Sequence, residues 1–399
     1  MAWSKWPFWG FLLFLLASCQ TDQMPAEVST AIADLQKAHI PDRRVDRFDV
    51  VAEQRAGKLV LSGETTRPEL LDSLESQLQA MGFETESEVL RLPTADLGDY
   101  TWGIVSLSVA NLRSKPKHSA ELASQLLMGM PIRVLKQEGD WYFVQAPDQY
   151  LGWLDAEAFK AVNAEELTAW QQLPKGIVTR PEIVMKDKRG LYPVSDLVAG
   201  NMVAILENEA PPFAGTFPVM LPDGRKGFVG PLDLVRLDEW MLQVNGPNHG
   251  MRMAMAQSFL GRPYLWGGTS SKGFDCSGFT KTVYYLNGLI IPRDASQQIR
   301  AGEEIATDTT WTNLEVGDFL FFGRPATPEQ KEKITHVAFY LGDGKILHAT
   351  GRVKIESLRR SDPDFAENRF DTFIRAKRLN ANSPGVVAIQ DMPWYGIKQ

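Results

Sequence analysis

The chain has 399 residues, of which 44% are apolar and 23% charged, a soluble globular composition long enough for two to four domains. Its formal net charge of −7, with no dense Lys/Arg cluster, argues against nucleic acid as a partner. Eleven tryptophans and twenty phenylalanines supply ample core material.

Met1 to Gly10 carry one cation, Lys5, and Phe11 to Leu16 are wholly apolar. That run is too short to span a bilayer, which takes roughly 20 apolar residues, but it suits an export leader over residues 1–18. It ends in Leu16-Ala-Ser-Cys19, which resembles the lipobox of bacterial lipoproteins. The resemblance implies lipidation of Cys19 and an exported lipoprotein anchored to a membrane of the bacterial cell envelope. An ordinary secretory signal with an incidental cysteine is the alternative. Residues 19–42 are polar apart from a helical stretch, Val28 to Ala38, and read as a tether.

From 43 to 97 the pattern is that of a small α/β domain. Phe48/Val50 and Leu59/Leu61 alternate with polar residues as strands do, and Leu70, Leu74, Leu78 and Met81 share one helical face that Gly82 terminates. Glu86 to Leu92 reads as a third strand. An internal repeat follows. Val144, Pro147, Asp148, Gly152, Trp153 and Leu154 recur 75 residues later as Val219, Pro222, Asp223, Gly227, Phe228 and Val229. Strand, Pro-Asp turn and strand make a β-hairpin pattern. With Ser108-Val-Ala-Asn-Leu-Arg113 and Gly139-Asp-Trp-Tyr-Phe-Val144 upstream, the unit resembles the bacterial SH3-like barrel. Two such β-barrels are expected, at 98–162 and 175–237. The second lacks the Asn-Leu-Arg signature, having Val184-Met-Lys-Asp-Lys-Arg189 instead.

Beyond a joint at Asn245-Gly-Pro-Asn248, residues 245–380 carry the chemistry, and 381–399 read as a C-terminal tail. His249 to Leu260 is helix-like, with Met251, Met255, Phe259 and Leu260 as its apolar face. Cys276 to Leu286 is a second helix, entered through a Gly-rich loop. Strands are expected at 319–322, 337–341, 345–348 and 369–377, and the segment 324–335 as a long loop. Helices followed by an antiparallel sheet define an α+β domain.

With Cys19 acylated, Cys276 has no disulfide partner. A lone thiol outside the cytosol is an oxidation liability whose presence suggests a use. His336 and His348 lie twelve residues apart in strand-like runs. One thiol with two distant histidines is the set a thiol hydrolase needs: a nucleophile, a base, and a group to orient the base. Tyr264-Leu-Trp-Gly-Gly268, Phe274-Asp-Cys-Ser-Gly-Phe279, Arg293-Asp-Ala-Ser-Gln-Gln298, Gly317-Asp-Phe-Leu-Phe-Phe322, His336-Val-Ala-Phe-Tyr340 and His348-Ala-Thr350 together resemble the NlpC family of papain-like bacterial cell-wall cysteine peptidases.

The resemblance implies Cys276, His336 and His348 as the catalytic set, with Tyr264 and Trp266 lining the substrate cleft. A helix N-terminus and an adjacent imidazolium are expected to lower the Cys276 pKa into a thiolate–imidazolium pair. Asp275, beside the nucleophile, is expected to bind a substrate cation, and Ser277 and Ser296 to hydrogen-bond the peptide. Arg293 and Asp294 read as structural. The implied reaction is hydrolysis of peptidoglycan stem peptides at the bond between γ-D-glutamate and a diamino acid such as diaminopimelate. The enzyme is expected to be a monomer, to need no cofactor or metal, and to prefer a free N-terminal L-Ala.

Three other readings stand beside it. One is a zinc site on Cys276, His336 and His348, which no Cys-x-x-Cys or His-x-x-x-His pair supports. Another is a thiol amidase or acyltransferase acting on a different envelope substrate. The last is an inactive lipoprotein whose barrels bind wall peptides.

Overall fold

The computed structural model describes residues 24–55, 57–244, 249–308 and 310–397. The leader 1–18, Cys19 and the joint 245–248 lie outside these. The described residues form two compact units, 24–41 with 47–91, and 42–46 with 92–397.

In the first unit the strands Phe48–Arg55 and Lys58–Thr65 pair antiparallel, and Thr85–Arg91 adds in parallel to the second. A parallel partner needs a crossover, which the helix Pro68–Ala80 supplies. Leu70, Leu71, Leu74 and Leu78 bury one face of that helix on Phe48, Val50, Leu59 and Leu61. Gly82, at φ 90°, ends the turn after it. Residues 26–39 do not form a tether. They are a helix whose Val28, Ala31 and Ile32, spaced i, i+3, i+4, join the same core.

In the second unit, seven strands between Trp102 and Val162 form one sheet, and seven between Lys175 and Arg236 form another. Numbered along the chain within each, the first sheet runs 7-1-4-5-6-2-3 and the second 3-2-6-5-4-1-7, the same order read from the opposite edge. The repeated hairpins are Trp141–Gln145 with Leu151–Asp155, and Phe217–Met220 with Lys226–Val229. Helix Ala164–Gln172 follows the first barrel and opens on an Asn163/Glu166 capping box.

The α+β domain is built on a six-stranded antiparallel sheet in the spatial order 303–305, 373–378, 319–324, 333–342, 345–350, 352–357. Helix Cys276–Tyr285 lies buried along it, Phe279 packing edge-on against Phe339 at 5.8 Å and Tyr284 against Phe319 at 5.2 Å.

Local patterning misplaced several pieces of this domain. Helix His249–Gln257 buries Met253 and Ala256, with Phe259 just beyond it, whereas Met251 and Leu260 are exposed. The helix presents an adjacent face, chosen by what it packs on. Strand Arg352–Ser357 is an additional sheet edge, turned at Gly351, whose φ is 69°. The expected 324–335 loop is shorter: residues 325–332 form it, while Arg324 and Lys333 to Thr335 belong to the two strands it joins. Residues 367–371 are a short helix rather than the start of a strand. The expected tail is docked. Val387–Ala388 pairs with Leu289–Ile290, and Ile389, Met392 and Tyr395 are buried with residues of the first barrel.

Candidate active site

Cys276 is the first residue of its helix. Asp275 caps it, Oδ1 accepting the Gly278 amide at 2.6 Å. The cap needs glycine at 278, where a Cβ would stand 2.0 Å from the Gly268 carbonyl oxygen. Cys276 is 8% exposed. Backbone amides of Val337 and Ser277 donate to it, so the strand carrying His336 runs directly against the helix start.

His336 Nε2 lies 2.8 Å from His348 Nδ1, and His348 Nε2 lies 2.7 Å from Glu356 Oε2. Glu356 also accepts from Lys354 Nζ at 2.6 Å, and these two donors hold its pKa down at about 2. An ionised Glu356 can only accept, so the proton on His348 sits on Nε2 and its Nδ1 is an acceptor. His336 must then donate from Nε2, which leaves its Nδ1 free to take a proton. The chain of contacts fixes both tautomers. The two rings stand at 83° to each other, and among the described residues no group of three His, Cys, Asp or Glu side chains could hold a metal. Glu356 escaped sequence reading because its strand did. The alternation after Gly351, with Val353 buried, was the available signal.

Burial pushes the Cys276 thiol up to about 11, and the Asp275 charge adds to the shift. Burial also holds His336 well below its ordinary 6.5, helped by the positive charges of Arg369, His348 and Lys354. Both shifts favour neutral forms. Both directions run against the expected thiolate–imidazolium pair, since desolvation opposes what the helix terminus favours.

A cavity of about 500 Å³ opens over the sulfur. Tyr264, Trp266, Asp275, Ser277 and Ser296 all line it, as the sequence suggested. Burial, with the Cys276 and Asp275 charges, raises Tyr264 to about 12. The first barrel closes one end with Ser114, Glu121 and Tyr150. Trp266 Nε1 donates to Glu121 Oε1 at 2.7 Å, and the Tyr150 hydroxyl donates to Asp294 Oδ2 at 3.1 Å. Arg44 donates to Asp294 at 2.6 Å and to Ser296 Oγ at 3.0 Å.

Two side-chain readings change here. Asp275 is not an anion waiting for a substrate cation: the fully buried Arg293 pairs with it at 2.5 Å and also holds Ser277 Oγ at 3.1 Å. Asp294 caps the helix Ala295–Gln298, as a structural residue would, but it also faces the cavity. Glu121 and Tyr150 come from another domain and carried no local signal.

Residues 261–368 match the model of the NlpC/P60 family, and residues 112–159 match that of the bacterial dipeptidyl-peptidase SH3 domain. The γ-D-glutamyl-L-lysine dipeptidyl-peptidase of Bacillus cereus is 30% identical over 258 residues, 62% of this chain and 73% of that protein. The enzyme of the same name from Bacillus subtilis is 31% identical over 236 residues, 57% and 72% of the two chains. The crystal structure of an NlpC/P60 family protein from Bacillus cereus superposes with a TM-score of 0.56 at 25% identity, covering 69% of this chain and 99% of that one. The likeness runs through both the barrel that closes the cavity and the domain that carries the thiol, and on that ground the chain belongs to the NlpC/P60 family of cysteine peptidases.

Proposed function

We propose that the protein hydrolyses the amide between γ-D-glutamate and a diamino acid in peptidoglycan stem peptides, with Cys276 as nucleophile. The observation that carries this reading is the ordered contact from Glu356 through His348 to His336, which leaves His336 Nδ1 as the basic nitrogen on the strand whose next residue, Val337, meets the helix-terminal thiol. His336 Nδ1 takes the thiol proton as sulfur attacks the γ-carbonyl carbon. The tetrahedral oxyanion forms beside the backbone amide of Cys276 itself, at the start of its helix. His336 then returns the proton to the leaving amine, the C–N bond breaks, and a thioester remains. Water, deprotonated by the same nitrogen, releases the acyl group.

The closed end of the cavity supports a preference for a free N-terminus. Glu121 and Asp294 offer carboxylates, and Tyr150 a hydroxyl, where an α-ammonium two residues before the scissile bond would arrive. Asp275, already paired, does not serve that purpose. A glycan-linked peptide would meet the barrel wall. The Bacillus relatives are named for a γ-D-glutamyl-L-lysine bond. That supports the γ-D-glutamyl side of the assignment and leaves lysine and diaminopimelate as substrates to compare.

Incubation with L-Ala-γ-D-Glu-L-Lys and its diaminopimelate counterpart, read by mass spectrometry, should release L-Ala-γ-D-Glu. Intact peptides, or cleavage at another bond, would refute the assignment. Lipidation of Cys19 would hold the enzyme at a membrane of the envelope, two or more acyl chains anchoring stably at about 0.8 kcal/mol per buried methylene. Cys19→Ala should then move the protein into the soluble fraction, and unchanged membrane retention would count against the anchor.

A further inference from the structure

Arg369 is a half-buried charged side chain on the His336 side of the site that this mechanism leaves unused. It lies on the short helix Glu367–Asp371, with its Cζ 5.9 Å from the centre of the Phe322 ring. That ring lies 5.8 Å from the His336 imidazole, its partner across the sheet. Of the neighbouring cations, Arg293 is paired with Asp275, Lys354 with Glu356 and Arg44 with Asp294, while Lys333 at the cavity rim is exposed to solvent. Among the described residues the Arg369 guanidinium has no hydrogen bond or ion pair, only the ring face of Phe322.

A half-buried guanidinium without an anion is disfavoured, and burial lowers the Arg369 pKa accordingly. The groups whose charge would oppose that shift are Cys276, Glu356 and Tyr264. Glu356 already holds His348 and Lys354, and the other two are neutral at rest. An uncompensated cation here also works against the chemistry, since its charge disfavours the imidazolium that His336 must become. Both conflicts disappear if an anion arrives with the substrate. The planar fork of arginine suits a carboxylate, which it can hold by two parallel hydrogen bonds.

We propose that Arg369 is a specificity residue that binds a substrate carboxylate flanking the scissile amide. The inference rests on the peptidase reading above, because a γ-linked stem peptide carries such groups on both sides. One is the α-carboxylate of D-glutamate, left free by the γ-linkage. The other is a carboxylate of the diamino acid on the leaving side. In either case the bound carboxylate screens Arg369 from His336, so catalysis is favoured only when the charged substrate is seated.

Three peptides separate the possibilities: L-Ala-γ-D-Glu-L-Lys, the same peptide with D-isoglutamine in place of D-glutamate, and the same peptide with a C-terminal carboxamide. Each is assayed with wild type, Arg369→Gln and Arg369→Lys. The wild type should lose about 30-fold or more in kcat/KM on one of the two amides, and that arm identifies the carboxylate. Arg369→Gln should cleave the parent peptide about as slowly as wild type cleaves that amide, and should no longer distinguish the two. A merely structural role would lower all three rates together.

Equal wild-type rates on all three peptides would overturn the proposal, as would a Gln variant that keeps the wild-type discrimination. Should the Gln variant lose its thermal transition, Arg369→Lys decides. A compact ammonium cannot reproduce the bidentate contact, so the discrimination must shrink, and unchanged discrimination overturns the proposal. Failure of wild type to cleave any of the three peptides would sink the substrate assignment together with this inference. Normal cleavage without discrimination sinks this inference alone.

Discussion

The two SH3-like barrels share a strand order and a hairpin register, yet they do different work for the catalytic domain. The first sends Glu121 and Tyr150 into the candidate cavity. It also locks Gln125 to Thr269 by reciprocal hydrogen bonds and places Ser124 against Arg293. The second touches the Gly-rich loop through Pro181 and Asp196 but lines no part of the cavity. The position equivalent to Tyr150, 75 residues on, is Arg225, which bends back onto its own turn at Asp223. One fold can thus serve as a wall of an active site or as a support, and a few side chains on its loops make the difference.

Breaking the nucleophile sets the floor for any comparison between barrels. Cys276→Ala should reduce hydrolysis by about 10,000-fold or more while the thermal transition stays in place. Activity surviving in that variant would remove the thiol from the mechanism. Glu356→Gln should come next, about 100-fold lower in kcat with KM little changed, because the tautomer of His348 is no longer fixed. An unaltered kcat would make the carboxylate a bystander.

The barrels themselves separate in the next pair. Glu121→Gln should cost about 30-fold in kcat/KM on peptides with a free N-terminal amine, and much less on N-acetylated ones. Arg225→Ala should change neither. If both variants behave alike in steady-state assays, the first barrel is no more a part of the site than the second.

Stability gives a smaller contrast of the same kind. Asp148 of the first barrel meets Lys281 of the catalytic helix at 3.2 Å, both largely buried. Asp148→Ala leaves a buried ammonium unpaired and should destabilise by about 3–5 kcal/mol. Asp196 of the second barrel meets Lys272 with both side chains about 40% exposed, so Asp196→Ala should cost about 0–1 kcal/mol. Denaturant melts of the two variants test the ordering.

The mildest expectation concerns pH. His336 acts as a base only when neutral, and its pKa is held well below 6.5. Its neutral form therefore persists as pH falls through 6.5, and kcat/KM should decline only at clearly lower pH. A midpoint at or above 6.5 on the acid limb would mean that burial does not hold His336 below its ordinary value.

What the sequence determined by itself was whatever depends on near neighbours along the chain. A helix opening at Cys276 behind a Gly-rich loop, strand-like runs carrying His336 and His348, and a constant 75-residue offset that announces a duplicated hairpin were all of this kind. The pocket residues Tyr264, Trp266, Ser277 and Ser296 were legible for a different reason: they stand in or beside the motifs that carry the family resemblance. The tertiary structure alone decided the rest. Glu356 reaches His348 only through a sheet edge formed by long-range pairing. Glu121 and Tyr150 reach the cavity only because a separate barrel docks there. Residues 26–39 and 381–397 looked unattached because their burial partners lie far away in the chain. The protonation state of the thiol followed the same rule, since a helix terminus can be read from spacing, but desolvation is set by everything that folds over the sulfur.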